Sequence, residues 1–199
     1  MRQFVVLGHD APTTADFSLD DIPGAGRLDV LCRCVNSAFF LSHAIREDVR
    51  LHLVLSDTYV VRFDGTELRR LNPDERSTAA LVRGALDASE RAIGAMEANP
   101  SPGVYLRKGD FESTVRRLAS EGTATLVELH EDGSPATTAN PPDDPVFVLS
   151  DHHDYTDAEA TLLASLADQR VSLGPHALHA DHAITVAHNW LDTGGFETY

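Results

Sequence analysis

The chain has 199 residues, 42% of them hydrophobic, which is enough to fill one sizeable core, and a single domain over residues 1–199 is expected. Thirty-one acidic residues stand against 16 basic ones, a formal net charge of −15. Taken alone, that balance argues against a nucleic-acid enzyme, because Lys and Arg contacts to phosphate normally supply most of the affinity.

A very salty cytoplasm offers another reason for the acid excess, since the Debye length shrinks to roughly 3 Å at 1 M salt and acidic side chains then serve hydration. Lys108 is the only lysine, so arginine is retained almost alone, as suits cations kept for bidentate phosphate contacts. The apolar run of residues 4–7 is broken at once by Gly8, which excludes a signal-peptide core, and no apolar stretch is long enough to cross a membrane. A cytoplasmic protein is expected. Cys32 and Cys34 fall about 200° apart on a helix, which excludes a local disulfide or a shared metal and marks them as small buried residues.

In chain order, residues 4–7 read as a strand and 12–27 as a loop rich in Asp, Pro and Gly. Residues 28–45 carry Leu28, Leu31, Val35, Ala38 and Phe39 at helical spacing. A buried strand over 51–55 precedes a hairpin over 59–71, expected to turn at Asp64-Gly65. The next helix is expected to start with Asn72 as N-cap, Pro73 at the first helical position and Glu75 at the third, and to run to 96 before the break at 99–103. A strand at 104–106, a helix at 111–119 and a strand at 125–130 follow, then a polar loop over 131–145. A strand at 146–149 leads to a helix capped by Thr156 and Glu159 and ending at 166; a short strand at 171–173 and a helix at 181–191 complete the chain. Such alternation implies an α/β fold with a parallel or mixed sheet.

Three loops follow apolar strands: after Leu129, after Leu149-Ser150 and after Ser172-Leu173-Gly174. Ligands of open α/β sheets bind outside the carboxyl ends of strands, so these loops are the expected cofactor pocket. There is no G-x-G-x-x-G and no P-loop, so a ligand without phosphates fits better than a dinucleotide or triphosphate.

The stretch Phe147-Val148-Leu149-Ser150-Asp151-His152, then Val171-Ser172-Leu173-Gly174-Pro175 and Leu178-His179-Ala180-Asp181-His182-Ala183-Ile184, resembles the knotted cofactor site of SPOUT methyltransferases. Gly26-Arg27-Leu28-Asp29 and the residues after it are similar to the first helix of the archaeal enzymes that methylate N1 of pseudouridine-54 in the T loop of tRNA. The resemblance spans essentially the full length. It implies an α/β SPOUT fold, a mostly parallel sheet flanked by helices with a C-terminal trefoil knot. It also implies S-adenosylmethionine as cofactor, tRNA as substrate and a homodimer. Carried over, the cofactor-binding candidates are Leu129, Leu149, Ser150, Ser172, Leu173, Gly174, Leu178 and Ala183. Two positions depart from the family pattern: Ser150 stands where Gly is frequent, and Ala183 where Cys is frequent.

Methylation at N1 requires loss of the N1 proton before the lone pair attacks the sulfonium methyl, so one carboxylate and one cation near the base suffice. Asp29 is the candidate for orienting or accepting that proton, Arg27 and Arg33 for holding phosphate or a uracil oxyanion, and Asn36 for reading a uracil edge. An ordinary Asp at a helix N-terminus, favoured by the dipole, is the simpler reading of Asp29 without the resemblance. His176, His179 and His182 recur every third residue, with His152-His153-Asp154 upstream, and a metal-binding protein is the alternative from another class. Structural or solvent-facing histidines are the expectation, and no metal. Methylation of ribosomal RNA and a silent RNA-binding module are further alternatives.

Overall fold

Strand β1 (Arg2–Gly8) is followed by α1 (Leu28–Phe39), β2 (Val49–Leu55), β3 (Tyr59–Asp64), α2 (Glu75–Asp87), β4 (Ala98–Ser101) and β5 (Val104–Lys108). Then come α3 (Phe111–Ala119), β6 (Thr125–Pro135), β7 (Pro145–Ser150), α4 (Asp157–Leu166), β8 (Gln169–Ser172) and α5 (Ala180–Asp192). The computed structural model describes residues 1–94 and 96–198.

The strands join one sheet in the order β4-β5-β3-β2-β1-β7-β6-β8. Strands β2, β1, β7, β6 and β8 run parallel, whereas β3, β5 and β4 extend one edge antiparallel. The sheet is therefore mixed, with a parallel half that carries the loops of interest. Period-two alternation divides the core. Phe4, Val6, Phe147 and Leu149 face α1, α2 and α5, while Val5, Leu7, Val146 and Val148 face α3 and α4. Burial of both faces explains why β1 and β7 read as unbroken apolar runs.

Five features differ from the sequence expectation. Helix α1 stops at Phe39 instead of 45, because Phe40 turns extended and the chain doubles back through a bridge between Phe40 and Ile45, with Arg46 N–H bonding Phe39 O (2.7 Å). The hairpin turns at Ser56-Asp57, not Asp64-Gly65; both residues adopt positive φ, 43° and 50°. Side-chain bonds hold that turn, Ser56 Oγ donating to His9 O (2.8 Å) and Ala11 O (2.7 Å), and Asp57 Oδ1 accepting from Phe111 N (2.9 Å).

Helix α2 is capped by Asp74, whose carboxylate accepts from Ser77 N (2.7 Å), so Asn72 and Pro73 lie before the helix; it ends at Asp87, and Ala95 lies outside the described residues. The expected break at 99–103 instead forms the β4-β5 hairpin, with Gly103 at φ 75°. Residues 131–135, expected in a loop, continue β6 beyond a register shift at Leu129/Ser134. By contrast α3 has the expected bounds, and the Thr156/Glu159 capping box of α4 is present in both directions.

Candidate active site

The parallel strands end on one side, and β6 with the loops after β7 and β8 lines a cavity of about 470 Å³. Residues 130–133 lie within the register shift of β6, and His130 and Glu131 form part of one wall. At Gly133 a Cβ would lie 2.5 Å from the Val171 carbonyl carbon, so only glycine allows β6 and β8 to approach so closely there.

Leu129, Leu149, Ser150, Ser172, Leu173, Leu178 and Ala183 all line this cavity. Gly174 does not; its carbonyl accepts from Ser172 Oγ (2.8 Å), and a Cβ there would meet nothing within 4 Å. Ser150 Oγ donates to His153 O (2.5 Å), which ties the loop after β7 to itself. Glu128, Tyr155 and Arg170 are among the lining residues that sequence reasoning did not assign to the cofactor. Glu128 is buried in the cavity wall with Oε2 3.2 Å from Arg170 Nε, and the Tyr155 hydroxyl is buried with no hydrogen-bond partner. Burial first, then the carboxylates of Glu128, Glu159 and Asp151, push the Tyr155 phenol well above its usual range. No local motif announces a glutamate on β6 or a tyrosine before α4; only the pairing of strands brings them together.

Beside the cavity, Asp29 is buried in the first turn of α1 between two guanidiniums. Arg27 grips it with Nε to Oδ1 at 2.9 Å and Nη2 to Oδ2 at 3.1 Å, and Arg33 adds Nη1 to Oδ2 at 2.9 Å. Burial pushes the Asp29 carboxyl up, but the hydrogen bonds and charges of Arg27 and Arg33 outweigh it and hold the group below its ordinary value. Arg27 sits at the helix N-cap with φ 56°, an unusual conformation for a residue with a Cβ. The preceding Gly26 (φ 57°) runs so close to Asp10 that a Cβ would lie 1.7 Å from its carbonyl oxygen.

Arg33 also reaches Glu75 on α2 (3.3 Å) and Asp181 on α5 (3.6 Å). Asp181 joins this cluster to the cavity, for Ala180 and Ala183 on the same helix form part of its wall, and one Asp181 oxygen is buried without a partner. Asn36 lies apart from the cluster: its Oδ1 accepts from Thr78 Oγ1 on α2 (3.3 Å).

The histidines scatter differently from their spacing. His176 lines the cavity, whereas the His179 and His182 rings are 6.1 Å apart. His9 is clamped between Asp151 (3.1 Å) and Glu159 (3.2 Å). Cys32 and Cys34 are buried free thiols, each pushed up by burial.

The model of a family of SAM-dependent RNA methyltransferases matches residues 1–196. The tRNA (pseudouridine(54)-N(1))-methyltransferase of Haloferax volcanii is 70% identical over 200 residues, covering 100% of both chains. That of Haloarcula marismortui is 68% identical with the same coverage, and that of Methanosarcina mazei 46% identical over 96% of this chain and 91% of its own. Among solved structures, Archaeoglobus fulgidus Nep1 bound to S-adenosylhomocysteine superposes with TM-score 0.66 at 13% identity, covering 96% of each chain, a likeness of fold. With a family match over nearly the whole length and full-length relatives this similar, the chain belongs to the SAM-dependent RNA methyltransferases.

Proposed function

We infer that this enzyme transfers the methyl group of S-adenosylmethionine to N1 of pseudouridine-54 in the T loop of tRNA, the activity named for its relatives. The single observation carrying this reading is the 70% identity to such an enzyme over 100% of both chains. The cavity suits the cofactor. Its volume of about 470 Å³ falls within the roughly 300–1,000 Å³ of small-molecule sites. Leu129, Leu149, Leu173 and Leu178 offer apolar walls for an adenine and a thioether, and the partnerless Tyr155 hydroxyl awaits a polar group of a ligand. Leu129, Leu149, Ser150, Ser172, Leu173, Leu178 and Ala183 hold it, with Gly174 acting through the turn it makes with Ser172.

Bound there, S-adenosylmethionine supplies a methyl carbon made electrophilic by its sulfonium. The chain must bring N1 into line and let its proton leave. Asp29, with both oxygens committed and its carboxyl held below the usual range, orients Arg27 and Arg33 and is a poor proton acceptor. Arg27 and Arg33 hold a backbone phosphate or the uracil oxygen on which charge develops. Asn36, its Oδ1 engaged by Thr78, presents its amide nitrogen to a uracil carbonyl.

The transfer requires no metal. The protein acts in the cytoplasm as a homodimer in which substrate arginines can serve the partner's cavity; Leu41 and Leu178, large and exposed, are available for such a contact. The segment around residues 173–180 threads a loop to give the trefoil knot of the SPOUT class. No helix among the described residues is long and apolar enough to cross a membrane.

The test is methylation of a T-loop stem-loop carrying uridine or pseudouridine at the target position, in multimolar potassium chloride. Pseudouridine alone should be labelled. Equal labelling of both would exclude N1 as the acceptor.

A further inference from the structure

The C-terminal ends of β1 and β7 lie side by side, so the residues just beyond them share one corner of the molecule. There Asp10 meets His152 and His153, and one ligand-type atom from each lies within 4.8 Å of the others. His153 Nε2 is 3.0 Å from Asp10 Oδ2, close to the edge length of a tetrahedral zinc site, and the two imidazoles lie with centroids 3.9 Å apart. All three residues are exposed, so an ion from solvent can reach them.

Beneath them the loop is held by side-chain hydrogen bonds. Asp151, with its side chain 2% exposed, accepts from His9 N (3.0 Å) and His153 N (2.9 Å), and its Oδ2 stands 3.5 Å from His152 Nδ1. A buried carboxylate against a histidine ring is the arrangement that fixes ligand imidazoles in metal sites. Ser150 Oγ on His153 O (2.5 Å) pins the same loop from its other side.

We propose that Asp10, His152 and His153 form a binding site for a divalent transition-metal ion at the rim of the cavity. Two imidazoles and one carboxylate select zinc, nickel or cobalt over magnesium or calcium, which prefer all-oxygen sets. The three residues leave a fourth position for water. Asp151 lies against His152 (3.5 Å), and the chain carries −15 overall, so the surroundings favour a cation. The site uses none of the residues assigned to the methyl transfer, but adjoins their cavity through Asp151 and His153, which form part of its wall.

The experiment is calorimetric titration of the chelator-stripped full chain with zinc chloride and, separately, magnesium chloride. Cobalt(II) is added in parallel, and its visible absorption reports nitrogen and oxygen ligation. One zinc per chain is expected, with no magnesium heat, and His152→Ala or His153→Ala should each weaken zinc at least about 10-fold. Should the histidine variants fail to fold, Asp10→Ala provides the same reading from an exposed residue. Absence of stoichiometric zinc in the native chain overturns the site. So does unchanged affinity in the variants, which would place the ion on His176, His179 or His182.

Discussion

Asp29 has about four oxygen lone-pair sites, and three guanidinium N–H groups already use three of them at 2.9–3.1 Å. A carboxylate so engaged fixes the direction of its arginines. Asp29→Asn keeps the shape but removes the charge that aligns both, and should lower kcat on the order of 10²-fold while cofactor affinity stays nearly intact. Equilibrium binding of S-adenosylmethionine beside single-turnover methylation checks this; a variant that no longer bound the cofactor would refute the assigned role. The Arg27-x-Asp29 pair was legible only through its family resemblance, since a lone Asp near a helix N-terminus is ordinary. Glu75 and Asp181 stayed hidden because they reach Arg33 from other helices, and nothing in local spacing records such meetings.

Among the elements, α5 is fastened to α1 by a neutral imidazole. His188 is buried, stacks edge-on against Phe4 (5.0 Å) and puts Nε2 3.1 Å from Ala38 O, while Arg2 Nη1 approaches Nδ1 at 3.1 Å. Burial, then the charges of Arg46 and Arg2, pushes its pKa down to about 3. The folded value is below the unfolded one of about 6.5, so the unfolded chain binds the proton first and stability falls as the pH drops from about 6.5 towards 3. The slope is about 1.4 kcal/mol per pH unit for this one group. His188→Gln should flatten the acid limb between about pH 6.5 and 5 in chemical denaturation; parallel curves for both proteins would remove His188 as its source. Sequence signals located elements best where the stop and start chemistry is local, as at α3 and the capped α4. They failed where a partner decides the outcome: α1 yields to the Phe40–Ile45 bridge, and β6 gains residues 131–135 from its pairing with β8.

At the scale of the whole molecule, a net charge of −15 must coexist with a polyanionic substrate. Repulsion between them is long-ranged and screened, whereas the phosphate contacts proposed for Arg27 and Arg33 are short-ranged and survive salt better. Transfer to a T-loop substrate should therefore rise as potassium chloride increases from about 0.1 M towards 1 M, where the screening length falls from about 10 Å to about 3 Å. A steady decline, as for a basic RNA-binding protein, would contradict this. The sheet order has a further consequence. Because β7 is inserted between β1 and β6, the earliest strand made keeps one edge open until the last third of the chain leaves the ribosome. Maturation must then be late and governed by contacts between distant segments, which slows renaturation, and a nascent chain stalled before β7 displays a hydrophobic ribbon that invites chaperones or aggregation.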